Sequence, residues 1–211
     1  MYVLKNKYIL ISLVAIVLTC ISNSTTNTSE LILNSNSEQL ATEKIEELFK
    51  NQKKWIWVGY LTVPLLILIR TSLVTFCLSI GLFFYDIESK IKFKQLFNVS
   101  ILGEFVLVFV IFSRIIYFYF IKTDYTLDKL LQFYPLSYTN FLDLSKIEPW
   151  LIYPLQTINL FEIGYFFVLV YGLHKLLKNK YSKSFEIVAV SYGSGLLIWI
   201  GLVMFLTLNM S

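Results

Sequence analysis

Residues 55–84, "WIWVGYLTVPLLILIRTSLVTFCLSIGLFF", place a single charged side chain, Arg70, in an otherwise apolar run. A hydrophobic stretch of about 18 residues or more is long enough to cross the hydrocarbon core of a bilayer as a helix. Residues 97–121, 150–174 and 185–208 pass the same test. All four are apolar around the whole circumference, as surroundings of lipid or protein on every side require. Trp55, Trp57, Tyr117, Tyr119, Trp150 and Tyr153 mark their ends, as expected of an interfacial aromatic belt. Composition agrees: of 211 residues 56% are hydrophobic and 15% charged, where a soluble domain carries about a quarter charged. The expected fold is an all-α, polytopic helical membrane protein.

A further apolar segment, "ILISLVAIVLTCIS", lies within residues 1–22 and follows Lys5 and Lys7. It is short for a span and has the layout of a signal peptide. "VLTC" loosely resembles a lipoprotein cleavage box, although Thr19 is a poor residue before Cys20. A retained helix is the preferred reading, giving five spans; cleavage of residues 1–20 would leave four. Residues 23–54 then form an exported polar segment, and 55–208 a four-helix membrane domain with an outer loop at 122–149. Ala41, Ile45, Leu48 and Phe49 recur at helical spacing, so "LATEKIEELFKNQKK" should be an amphipathic helix leading into the second span. Residues 124–149 read as one or two short interfacial helices interrupted by Pro135. Asn23 and Asn27 begin glycosylation-type triplets, which in so biased a stretch carry little information.

Charge sets the direction. Counting spans from a cytoplasmic N-terminus puts 85–96 and 175–184 inside, and 122–149 and the C-terminus outside. The inner loops hold Lys90, Lys92, Lys94, Lys175, Lys178, Lys180 and Lys183 against Asp86 and Glu88. The outer loop sets Lys122, Lys129 and Lys146 against Asp124, Asp128, Asp143 and Glu148. Lysine excess on the cytoplasmic side is the positive-inside pattern, so an integral membrane protein with its N-terminus in the cytoplasm and its C-terminus outside is expected. His174, the only histidine, opens the inner basic turn with Lys175, Lys178, Lys180 and Lys183. That turn suits a helix C-terminus and can attract anionic lipid.

Four ionisable residues lie inside spans: Arg70, Glu104, Arg114 and Glu162. Each is costly in lipid unless paired or wet, so each is a candidate functional residue. Arg70 and Glu162 fall near mid-span, which makes them the natural ion pair. Arg114 can snorkel outward, and Glu104 can reach toward the inner lysines. In "SYGSG", Ser191 and Gly195 form a small-xxx-small pattern for close helix packing. Paired catalytic carboxylates, metal-ligand spacings and phosphate- or dinucleotide-binding glycine patterns are missing, so no enzyme, cofactor or metal is expected. Cys20 and Cys77 have no partner spacing and read as small buried hydrophobes. Nothing supports nucleic-acid binding.

Taken together, "INLFEIGYFFVLVYGLHKLLKNKYSKSFEIVAVSYGSGLLIWI" resembles the C-terminal part of bacterial Yip (Ypt-interacting protein) family domains. The shared elements are an "LFEIGYFFVLVYGL" helix, a basic turn and "KSFEIVAVSYG" opening the last span. The resemblance extends over residues 55–208 and is best over 155–200. It implies a five-span, non-enzymatic protein with its N-terminus inside and C-terminus outside, acting as a scaffold or accessory subunit that binds other membrane proteins. The chain differs in exporting its polar segment and in lacking the proline that often follows the last span's tyrosine-glycine pair. The alternative from the residues is a permease or channel component using Arg70 and Glu162.

Overall fold

A computed structural model of the protein describes residues 2–26, 28, 31–32, 42–87, 91–121 and 125–210. Asn27, Ala41, Glu88, Lys90, Lys122 and Asp124 lie outside the described residues, as do the side chains of Lys5, Ile45, Leu48, Phe49 and Asp128.

The described chain is helical. It runs through α1 (Tyr2–Thr25), α2 (Thr42–Phe84), α3 (Phe93–Ile116), α4 (Leu127–Gln132), α5 (Pro149–Thr157), α6 (Leu160–Leu177) and α7 (Tyr181–Met210). A π-helical turn, Tyr117–Ile121, extends α3, and two 3-10 turns, Tyr138–Phe141 and Leu144–Lys146, lie between α4 and α5. Five of these helices are long and apolar enough to cross a membrane: α1, α2, α3 with its π turn, α6 and α7. The protein is an all-α polytopic helical protein. The segment before the second span and the span itself form one continuous helix that runs through Pro64 without interruption.

The expected span at 150–174 is not one helix. It divides into α5 and α6 at Ile158 and Asn159. Asn159 adopts extended backbone (φ −145°), and its side chain accepts the Glu162 N–H at 2.7 Å. It thereby caps α6 in the way asparagine favours. Asn159 also forms an isolated antiparallel bridge with Ser137. An apolar run reads the same whether it holds one helix or two, so the break turns on this one polar residue.

Four helices close a ring in which α2 packs on α3, α3 on α6, α6 on α7 and α7 on α2. Outside the ring α1 lies against α2 and α3, and α5 lies against α7. The interior is filled by Leu78, Leu82, Leu96, Leu169, Leu173, Ile187 and Val188. Leu65, Phe76, Phe109, Leu197 and Phe205 are exposed on the outside, as a lipid-facing surface permits. Cys20 is exposed as well, contrary to the burial expected of it, because its part of α1 faces outward; Cys77 is half-buried.

Lipid gives helices little hydrophobic reason to associate, so close approach of small residues matters more than in water. The ring uses glycine in matched pairs. Between α3 and α6, a Cβ on Gly103 would come 2.6 Å from the Tyr165 ring, and one on Gly172 would come 2.7 Å from Val99. Between α2 and α7, Gly81 faces Ser191, and a Cβ on Gly195 would come 2.6 Å from Cys77 Sγ. Each helix of a pair thus offers a glycine to a side chain of the other. Ser191 and Gly195 lie on that α2–α7 seam.

At one end of the ring, residues 125–159 form a cap. Arg114 donates to the Leu130 carbonyl, and Gln156 donates to the Gln132 carbonyl at 2.9 Å. Tyr117 stacks on Phe133, ring centroids 4.0 Å apart. Arg114 therefore holds the cap against α3 instead of reaching freely outward. Exposed Asp143 is held below the usual carboxylate range by hydrogen bonds from Ser145 and by Lys146. At the end opposite the cap Lys183 pairs with Glu186 at 3.1 Å and lies 4.1 Å from the Tyr85 ring, and Tyr85 donates to Glu186 at 2.9 Å. Lys175 covers Tyr171 at 4.5 Å. His174 packs its ring edge-on to Tyr181, centroids 5.8 Å apart. Of the basic turn, Lys178 and Lys180 are left exposed.

Candidate functional site

Arg70 on α2, Glu104 on α3, Glu162 on α6 and Tyr192 on α7 converge inside the ring. At about 1.5 Å per residue they lie roughly 16 to 22 Å from the ends of their helices that face away from the cap. A hydrocarbon core is about 30 Å thick, so the group sits deep in it. Arg70 bridges both acids: Nε lies 3.7 Å from Glu104 Oε1, and Nη2 lies 3.6 Å from Glu162 Oε2. Two tyrosines complete the cluster. Tyr165 donates to Glu104 Oε1 at 3.4 Å, and Tyr192 donates to Glu162 Oε1. The guanidinium lies 5.1 Å from the centre of the Tyr165 ring. Tyr165 and Tyr192 lie ring to ring at 5.5 Å.

The two carboxylates are not equivalent. Glu162 occupies the first turn of α6, where unpaired backbone N–H groups and the helix dipole favour negative charge. Its side chain is 15% exposed, that of Glu104 is 4%, and that of Arg70 is 40%. Glu104 sits in mid-helix with no such dipole, and its contacts to Arg70 and Tyr165 are long. It points to Arg70 and not toward the inner lysines, because antiparallel α2 and α3 bring the two level.

Beside the charges runs a seam of hydroxyls. Thr75 donates to the Thr71 carbonyl at 2.7 Å, its hydroxyl lies 3.0 Å from that of Ser100 across the α2–α3 contact, and Ser79 donates to the Thr75 carbonyl at 2.9 Å. One turn toward the cap, Thr71 is fully buried and its hydroxyl has no hydrogen-bond partner among the described residues. Thr71 precedes Thr75 by one turn and Glu104 follows Ser100 by one turn, so the antiparallel register sets Thr71 level with Glu104. The cap reaches down to this depth too. Burial pushes the Tyr134 phenol up, and Tyr134 lies within electrostatic reach of Arg70 and Glu162.

Of the four charges marked in the sequence, the structure brings Arg70, Glu104 and Glu162 together and places Arg114 in the cap joint. Tyr165, Tyr192 and Thr71 were not singled out. The usable signal for Tyr165 was its place three residues after Glu162, on the same helix face and far from the aromatic belts. The cap also encloses an open cavity of about 520 Å³, lined by Tyr117, Phe133, Lys129 and Asp143 among others. Its lining includes none of the cluster residues. No family model, curated protein or solved structure matches this chain.

Proposed function

We propose that this is a non-enzymatic integral protein of a bacterial inner membrane whose working part is the mid-membrane cluster, making it a permease or channel component. The observation behind this reading is the second carboxylate. A structural clamp needs one acid for one guanidinium, whereas Arg70 faces both Glu104 and Glu162. An unneutralised charge near the bilayer centre costs about 2.5–3.5 kcal/mol on insertion scales. Retaining such a charge for stability alone is poor chemistry; retaining it to exchange charge is good chemistry. The α6 break and the hydroxyl seam beside it suit the same use, since irregular backbone at membrane depth belongs where a polar site is lined. The test is full-length protein in liposomes under an imposed proton or ion gradient, followed with an enclosed dye. Wild type is expected to dissipate a gradient that persists in vesicles carrying folded Glu162→Gln, which keeps Arg70 paired with Glu104; equal leakage from both would overturn the reading.

A scaffold of the Yip type is the second reading. It is favoured by the cap, where Phe141 is 85% exposed and Leu136 and Tyr138 are also uncovered. An accessory subunit could dock a partner membrane protein there.

The topology belonging to either reading has the N-terminus in the cytoplasm and the C-terminus outside. Reporters fused after Lys92 and Lys180 should be cytoplasmic, and those after Tyr138 and Ser211 external. A cytoplasmic C-terminus would refute the count of spans. Retention of α1 belongs to the same proposal. Ile11 and Ala15 are buried, and Tyr8 donates to the Pro64 carbonyl at 2.6 Å. The intact mass of the membrane-extracted protein should therefore include residues 1–20.

A further inference from the structure

We propose that Glu104 is a proton-binding site, holding the single proton that makes the cluster neutral. One guanidinium between two carboxylates leaves one negative charge in excess, and lipid makes that charge expensive. One bound monovalent positive charge removes it.

Geometry assigns the proton to Glu104 and leaves Arg70–Glu162 as the standing ion pair. Glu162 lies at the helix N-terminus, is the more exposed of the two acids and accepts the Tyr192 hydroxyl. Glu104 is nearly fully buried in mid-helix, with its partners at 3.4 and 3.7 Å. Burial without strong compensation favours the neutral carboxyl.

Toward Glu104, α2 presents Arg70 and α6 presents Glu162 and Tyr165, while Tyr192 on α7 bonds Glu162 and Tyr134 of the cap lies within electrostatic reach of Arg70 and Glu162. Beyond Lys7, α1 has no charged residue. Proton uptake forms one O–H bond on Glu104 and cancels one charge; release returns the proton to water, and nothing is oxidised. A metal cation is the less suitable occupant, because the Arg70 guanidinium already occupies the space between the carboxylates.

This inference takes its purpose from the transport reading but is tested apart from it. Full-length protein in liposomes would be examined by infrared difference spectroscopy between acid and alkaline pH. Wild type should show a protonated-carboxyl band, moved by deuterium exchange and missing in Glu104→Gln. Tyr165→Phe should keep the band but raise its frequency, while Tyr192→Phe should leave it in place. These two are conservative changes that keep the test available if Glu104→Gln does not fold. The proposal is overturned if wild type lacks the band. It is also overturned if Tyr192→Phe moves the band while Tyr165→Phe does not, since the proton would then belong to Glu162. Loss of the band on adding sodium at fixed pH would mark a metal-cation site and overturn it too. A band without proton flux would retire transport and keep the proton site. Flux without a band would do the reverse.

Discussion

Replacing Arg70 with glutamine should remove most of the folded protein. The substitution leaves Glu104 and Glu162 facing one another with no cation between them. Breaking a buried ion pair by removing one partner typically costs about 3–5 kcal/mol, because a bare charge is stranded. The Arg70 side chain is 40% exposed, so the lower end of that range is expected. Three kcal/mol is still roughly a hundredfold change in the folded ratio. The decisive comparison adds Glu104→Gln and Glu162→Gln to the same chain. If the charges act as a unit, the triple variant should recover most of what the single one lost, because no charge remains to be stranded. Unfolding of the purified protein in mixed detergent micelles, followed by circular dichroism, would measure this. Additive losses across the three positions would refute a coupled cluster.

Gly103→Ala should be the second severe change, although it adds one methyl group. The new Cβ would come 2.6 Å from a Tyr165 ring carbon, closer than any real contact. Tyr165 has no room to retreat. It is fully buried, its ring lies under the Arg70 guanidinium, and Tyr192 stands on its other side. Overpacking of this kind costs about 1–3 kcal/mol, and here it would also pull the hydroxyl away from Glu104. Gly193→Ala and Gly201→Ala are the controls, since a Cβ at either position meets nothing within 4 Å. They should be neutral or stabilising by up to about 1 kcal/mol, the usual gain of alanine over glycine in a helix. Equal losses at all three glycines would show that backbone freedom, and not the Tyr165 contact, is what Gly103 provides.

How much of this could be read in advance follows from the physics of each feature. Spans are legible because apolar length is a one-dimensional property, and the long helices fall where hydropathy puts them except at 150–174, where the span is confined to Leu160–Leu177. A charge in lipid is conspicuous for the same reason, so Arg70, Glu104 and Glu162 stood out. Their grouping did not. Depth along separate helices matched Arg70 to Glu162, but it could not tell which face of α3 carries Glu104, and hydropathy has no term for facing. The break at Asn159 was hidden because one asparagine in an apolar run is compatible with a continuous helix. It became a cap because the Ser137 strand-like contact draws its backbone outward. Tyr165 and Tyr192 were missed because tyrosine belongs equally in a core and at an interface.

The reciprocal glycines also constrain how the ring can move. Gly81 and Gly195 tie α2 to α7, while Gly103 and Gly172 tie α3 to α6. A motion that preserves all four close contacts must treat these pairs as two rigid blades and divide the ring between them. The dividing plane passes through the charges. Arg70 and Tyr192 ride on one blade, and Glu104, Glu162 and Tyr165 ride on the other. Both ion pairs and the Tyr192–Glu162 bond therefore cross the plane and latch the blades shut, while the Tyr165–Glu104 bond stays within one blade. Rocking the blades apart would loosen all three crossing contacts at once, so the energy that holds the molecule closed and the charge it carries at its centre are stored in the same few atoms.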